Sequence, residues 1–193
     1  SGFNALLVSG TVHTNPDNST IKCAADLLTM NDYLNLLPVD INLLFPAQFG
    51  QNLILTPHTY SLMAATALTD TLYLNAQGNA NAVFVIKISG ALSTSTYSKV
   101  LLINGAQAKN VYWKIDGPVN ISDFSQFKGT IVANNGAVTL STGVTLDGRA
   151  YTTSGAVLTT SITTTMVPDC STTVTAIGAI DSQNITDILT ISP

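Results

Sequence analysis

The feature that most constrains this chain is a short stretch that occurs twice in succession at an offset of 19 residues. Residues 127–138 (FKGTIVANNGAV) align with residues 146–157 (LDGRAYTTSGAV), so that two glycines, an alanine and a valine coincide. Looser copies at residues 59–68 and 82–92 extend the series upstream. A period of this size indicates stacked units, each of which buries its apolar side against the next.

A further copy lies one offset before the first. Residues 117–121 fall on residues 136–140, and at the same offset Trp113 falls on Val132. This alignment predicts a core position for the tryptophan, equivalent to that of the valine one unit later.

The composition of the units favours strands over helices. They combine β-branched residues with glycine and Asn-Gly corners, and they carry no apolar period of 3.6. Nineteen residues correspond to about three short strands of roughly 5 residues each. The sequence therefore predicts an all-β solenoid in which Val138 and Leu140 point inward while Thr139 and Ser141 point outward.

One amphipathic helix is predicted ahead of the repeats, over about residues 16–37. Asn15 is predicted to be the N-cap, Pro16 the first helical residue, and Pro38 ends the pattern. The stripe should lie along one side of the solenoid. It consists of Leu27, Met30, Leu34 and Leu37, widened by Ile21, Ala24 and Leu28.

The predicted organisation is one domain over residues 1–170, followed by a C-terminal segment, residues 171–193, that is either an end cap or a tail. Residues 38–58 are predicted to be an irregular crossing into the first clear coil. Cys23 and Cys170 are consistent either with a disulfide in an extracellular setting or with two buried thiols.

The charge content excludes several classes of partner. Only 9% of the 193 residues are charged, and all eleven acidic residues are Asp. Nucleic acids and anionic membranes require basic clusters, which this chain lacks. No apolar run approaches 18 residues, so no membrane insertion is expected. Neither the cysteines nor the two histidines have the spacing of a metal site, and we expect no metal and no cofactor.

Four stretches in the same order resemble the successive signatures of the DUF3494-type microbial ice-binding (antifreeze) proteins. They are residues 74–85, 100–113, 127–131 and 143–150. The resemblance implies a discontinuous right-handed β-helix of triangular section with an α-helix packed alongside. It also implies a secreted or cell-surface protein of a cold-adapted microbe, a monomer, that binds ice through a flat Thr-rich face. Family members usually begin with several strands ahead of the position of Ser1, so residues 171–193 are a candidate replacement for them.

The ice face of this family often carries a Thr-(Ala/Gly)-x-(Thr/Asn) pattern. Residues 142–145 (TGVT) match it and residues 160–163 (TSIT) nearly match it, whereas residues 123–126 (DFSQ) interrupt it with a charge and a ring. Solvent-facing strand positions also favour threonine without any ligand. The resemblance implies these ice-binding residues: Thr142, Gly143, Thr145, Thr160, Ser161, Thr163, and, more weakly, Thr94, Thr96 and Ser125.

Two other functions fit a β-solenoid. A polysaccharide lyase or hydrolase would need paired carboxylates or a basic cluster in a groove. Asp116, Asp123 and Asp147 lie in different coils and no Glu is present, so we expect no enzyme. A cell-surface adhesin or structural module is compatible with the same low charge and remains the alternative.

Overall fold

The computed structural model describes residues 12–13 and 16–165. Parallel strands form two sheets that wind into six stacked coils. The coils comprise residues 41–55, 59–75, 84–103, 111–128, 130–147 and 149–165. Each coil adds one strand segment to each of three faces, which gives the solenoid a triangular section. The predicted fold class is confirmed.

The face that lies under the helix is called the helix-covered face. Its strands are β1 (Ile41–Asn42), β4 (Thr59–Leu62), β7 (Phe84–Ile88), β10 (Val111–Ile115) and the second halves of β12 (Gln126–Ala133) and β14 (Thr145–Thr152). The next face, called the small-residue face, forms a separate sheet. Its strands are β2 (Phe49–Gly50), β5 (Thr66–Thr69), β8 (Leu92–Thr94), β11 (Val119–Ile121), β13 (Val138–Leu140) and β15 (Val157–Thr159).

The third face completes the triangle. Its strands are β3 (Leu53–Leu55), β6 (Thr71–Asn75), β9 (Lys99–Ile103), the first halves of β12 and β14, and β16 (Thr163–Thr165). Both β12 and β14 continue onto the helix-covered face, and they turn the corner at two stacked glycines, Gly129 and Gly148.

Residues 38–58 were predicted to be an irregular crossing, and this prediction is wrong. They contain the first coil, in which β1, β2 and β3 pair with the second coil in the same parallel register as the others. Its strands are only two or three residues long, and a 3-10 helix, Pro46–Gln48, fills one corner. Such short strands leave no visible alternation in the sequence.

The repeat offset holds on two faces and slips on the helix-covered face between coils 4 and 5. Val119 pairs with Val138, as the offset of 19 predicts. Trp113 is fully buried, as predicted, but it pairs with Ile131 and not with Val132. The corner after coil 5's first strand, at residues 134–136, is one residue longer than its counterpart in coil 4, and this extra residue accounts for the slip.

Inward side chains stack into an apolar core along the axis. Val138 and Leu140 are buried between neighbours of the same kind, whereas Thr139 between them points outward, as the period of two predicts. The Trp113 ring packs against Phe127 and Phe49, and its N–H donates to the Lys128 carbonyl at 2.9 Å. The core thus satisfies its one indole donor.

The helix, α1, spans Asn18–Leu36, and its N-cap is Asp17, not the predicted Asn15. The Asp17 carboxylate accepts the Thr20 backbone N–H at 2.7 Å, and the Thr20 hydroxyl accepts the Asp17 N–H at 2.9 Å. This reciprocal pair is a capping box with Thr at the third position. The Thr20 N–H, together with His13, lowers the pKa of Asp17.

Only part of the predicted helix stripe faces the solenoid. Leu27 and Leu34 are buried against Val85 and Val132 of the helix-covered face, with Met30, Leu37, Tyr112 and Tyr151 around them. Ile21 and Leu28 were expected to widen this stripe, but both are exposed. The apolar residues spread over more of the helix circumference than one flat sheet can cover.

A lysine from the solenoid fixes the end of the helix. The Lys87 ammonium donates to the carbonyls of Asn35 at 2.8 Å and Leu37 at 3.0 Å. The last carbonyls of a helix have no partner within the helix and carry partial negative charge. Burial, and to a lesser degree the nearby Lys114, lowers the pKa of Lys87. The ammonium is therefore positioned where a cation is most useful to the helix.

We expect Lys87→Met to lower the free energy of unfolding by about 1–2 kcal/mol, because two charge-assisted hydrogen bonds are lost. Chemical denaturation followed by circular dichroism measures this change. Lys22→Met, which alters an exposed lysine on the same helix, is the control and should be near neutral. Equal stability of the two variants would show that the helix end is held by packing alone.

Several predictions fall outside the described residues. Segment 171–193 lies there, so its role as a cap or a tail stays a prediction. Cys170 also lies there; Cys23 is half-buried on α1, and burial raises the pKa of its thiol. In the part of the chain that the structure covers, no helix is both long and apolar enough to cross a membrane.

Candidate functional site

Two of the three outer faces are open. The helix-covered face is occupied by α1. The third face carries an ion pair in which the Lys128 ammonium lies 3.1 Å from the Asp147 carboxylate, with an exposed Lys99 on a neighbouring strand. The small-residue face differs from both, because its outward positions carry no charge.

The outward positions of the small-residue face form a regular grid. Its central column pairs one outward residue per coil, from the second coil to the sixth: Ala67, Ser93, Asn120, Thr139 and Leu158. Backbone hydrogen bonds continue the grid into a column on either side. These are Ala91, Pro118, Ala137 and Ala156 before the strands, and Ser95, Ser122, Ser141 and Thr160 after them.

The grid is flat, because its members are small and its backbone is a single parallel sheet. Successive coils lie about 4.8 Å apart, and same-face residues along a strand lie about 6.7 Å apart. Every coil is hydrogen-bonded to the next, so the spacing is fixed along the whole face. The face therefore presents hydroxyl, amide and methyl groups at repeated, rigid intervals.

A second group of small polar residues lies at the corner between the small-residue face and the third face, in the last two coils. Thr145 pairs directly with Thr163, and the Gly143 N–H donates to the Ser161 carbonyl at 3.0 Å. Val144, between the two threonines of the first coil, is buried. We call this group the corner strip: Thr142, Gly143, Thr145, Thr160, Ser161 and Thr163. The structure brings all six predicted residues together, with their side chains exposed or half-exposed.

Two of the weaker predictions do not lie on the surface. Thr94 is 6% exposed and Ser125 is 1% exposed. Their hydroxyls lie 3.4 Å apart, and the Thr94 hydroxyl also accepts the Ser122 N–H at 2.8 Å. Thr94 follows the inward direction of Leu92 two residues earlier. The prediction that Thr94 and Ser125 belong to an outer binding surface is therefore wrong.

The corner positions of the earlier coils are shifted from those predicted. Residues 96–99 and 123–126 occupy the place that residues 142–145 occupy in coil 5, since Lys99 pairs with Gln126 and Gln126 with Thr145. Thr96 is exposed and lies at the position of Thr142. Of the upstream predictions, Thr96 alone stays on the surface.

Sequence reasoning missed the central column of the small-residue face. Ser93, Asn120 and Thr139 belong to different local sequences and share no motif. The signal that could have found them is the alternation in each strand, where an outward residue lies between two buried apolar ones.

The three aspartates considered for catalysis have separate structural partners. Asp116 pairs with the buried Lys114, and Asp147 pairs with Lys128. The Asp123 carboxylate accepts the Thr142 N–H at 3.1 Å and so supports the corner strip. Over residues 12–13 and 16–165, no three His, Cys, Asp or Glu side chains gather in a group that could hold a metal ion.

Similar proteins share this architecture. A solved ice-binding protein from an Antarctic Flavobacteriaceae bacterium is 56% identical, with a TM-score of 0.87 over 89% of this chain and 41% of that chain. An ice-binding protein from an Antarctic biological consortium is 30% identical, with a TM-score of 0.72 over 77% of this chain and 66% of that one.

An ice-binding protein of Nostoc sp. (strain HG1) is 34% identical over 81% of this chain. The alignment spans 57% of that relative, so this chain corresponds to little more than half of it. The family model described as ice-binding-like matches residues 3–166, which include every described coil. The chain therefore belongs to the ice-binding-like, DUF3494-type family that its four motifs resemble.

Proposed function

We propose that this protein binds ice and that the contact surface is the small-residue face together with the adjoining corner strip. The observation that carries the proposal is the uncharged grid of small side chains, repeated over five coils on a rigid sheet. Ice is an extended, regular solid, and only an extended, regular surface can contact many of its repeats at once.

The chemistry of the grid suits water better than it suits a soluble ligand. Hydroxyl and amide groups at fixed spacing hold water molecules in place, and the methyl groups between them exclude others. A β-branched threonine has few rotamers to lose, so little conformational entropy opposes the ordering of that water layer. Adsorption of this kind slows the growth or recrystallisation of ice and needs no proton transfer, metal or cofactor.

The setting that fits this function is extracellular, because ice first forms outside the cell. We propose a secreted or cell-surface protein that acts as a monomer and has no catalytic activity. An adhesin or structural module would use the same solenoid without contacting ice. Freezing a single ice crystal in fluorescently labelled protein distinguishes the two, since only an ice-binding protein stays on the crystal after washing.

We expect Thr145→Tyr to reduce thermal hysteresis strongly, because a ring on the corner strip holds a rigid crystal away from the neighbouring threonines. Thr145 is partly exposed, so its stability should change by no more than about 0.5 kcal/mol. Hysteresis and crystal shape are measured beside Thr29→Tyr, a control that places the same ring on the exposed side of α1. Hysteresis equal to that of the parent would remove the corner strip from the contact surface and leave the small-residue face.

A further inference from the structure

The corner between the small-residue face and the third face carries one residue with positive φ in each coil. From the second coil to the sixth these are Asp70 (φ 60°), Tyr97 (61°), Phe124 (57°), Gly143 (71°) and Ser161 (47°). Backbone hydrogen bonds stack them, because the N–H groups of Tyr97, Phe124 and Gly143 each donate to the following coil. The last two coils thus have a small residue where coils 3 and 4 have aromatic rings.

The two rings form a ridge on the outside of the solenoid. Tyr97 and Phe124 stack with centroids 5.2 Å apart and an angle of 13° between their planes. Tyr97 is 64% exposed and Phe124 is 47% exposed, so neither ring belongs to the core. We call the pair the aromatic ridge.

The backbone pays a conformational penalty to place these rings. Bulky residues rarely adopt positive φ, and each costs on the order of 1–3 kcal/mol relative to a relaxed conformation. Glycine or asparagine is the usual choice at such a corner. Two strained aromatic residues that bury little surface indicate a role on the surface and not in folding.

The ridge ends directly against the corner strip. A Cβ atom on Gly143 would lie 2.4 Å from a Phe124 ring carbon, so the ring covers the space that a side chain would occupy there. Gly143 is flanked by Thr142 and Thr145. Beyond the ring, the positions equivalent to Thr145 are Gln126 and Lys99.

We propose that the aromatic ridge determines the extent of the ice contact at this corner, confining the corner strip to coils 5 and 6. This inference rests on the proposed ice-binding function. A rigid crystal cannot close around a protruding ring, so Thr96, which occupies the position of Thr142 in coil 3, is held away from the ice. Tyr97 and Phe124 are thus specificity-determining residues of the contact surface.

The test is the double variant Tyr97→Gly/Phe124→Gly. Glycine suits the positive φ at both positions, so the solenoid should fold, which circular dichroism and the melting temperature verify. Thermal hysteresis at equal concentration should rise, by roughly twofold, because the strip would extend from two coils to four at the same coil spacing. Tyr33→Ala removes an equally exposed ring (63%) from α1 and should leave hysteresis unchanged.

A second double variant, Tyr97→Asn/Phe124→Asn, keeps a small residue that tolerates positive φ and should give the same rise. Unchanged hysteresis in folded double variants would overturn the ridge as a boundary. Reduced hysteresis would also overturn it, since the rings would then be contacts themselves. In both cases the parent retains its hysteresis and its proposed function, whereas a parent without hysteresis would overturn both proposals.

Discussion

Thr139→Tyr should abolish most of the thermal hysteresis of this protein while leaving it folded. Thr139 lies at the centre of the grid, paired with Asn120 on one side and Leu158 on the other. A tyrosine ring there would stand above neighbours that are no larger than leucine. Because every coil is fixed to the next, the face cannot bend to restore contact around the ring.

The matched variant is Thr139→Ser, which keeps the hydroxyl and removes only a methyl group. It should retain most of the hysteresis, and both variants should melt close to the parent because the position points outward. Comparison with Thr145→Tyr then divides the surface. Loss in Thr139→Tyr alone assigns the contact to the small-residue face, and loss in Thr145→Tyr alone assigns it to the corner strip. Full activity in both would contradict the proposed surface.

Gly148→Ala should destabilise the solenoid more than any other single methyl addition that we propose, by about 3 kcal/mol or more. A Cβ at this position would lie 2.1 Å from the Gly129 carbonyl oxygen and 2.6 Å from its carbon. Both atoms belong to the backbone of the adjacent coil, so no side chain can rotate to make room. The φ of +147° is also one that alanine scarcely adopts.

Gly78→Ala is the control that separates the clash from the backbone conformation. Gly78 also has a positive φ, of +87°, but nothing lies within 4 Å of its added Cβ. We expect this variant to lose only about 1 kcal/mol. Unfolding curves in denaturant measure both, and equal losses would show that the stacked glycines of β12 and β14 can separate without cost.

The sequence determined the coil size and the inward ladders, since both depend on local patterns. The 19-residue repeat sets one turn of the solenoid, and strict alternation around Val138 and Leu140 decides which side chains are buried. The same holds for Leu27 and Leu34 on the helix, whose spacing keeps them on one side. The family followed from long motifs that survive in order.

Tertiary structure alone decided which polar residues reach the surface at the corners. The period of two stops at each residue with positive φ and starts again beyond it, so Thr94 points inward while Thr96 is exposed. Corner lengths also vary, and one extra residue at 134–136 moves Trp113 from Val132 to Ile131. No local pattern records these shifts, because they depend on how one coil lies on the next.

The orientation of the helix has the same origin. Its apolar residues extend too far round the circumference for the sequence to indicate which of them are covered. The solenoid makes that choice by offering Val85 and Val132 as a packing surface and Lys87 as a partner for the last carbonyls. Ile21 and Leu28 are left exposed because a flat sheet contacts only one side of a helix, and local spacing cannot specify which side that is.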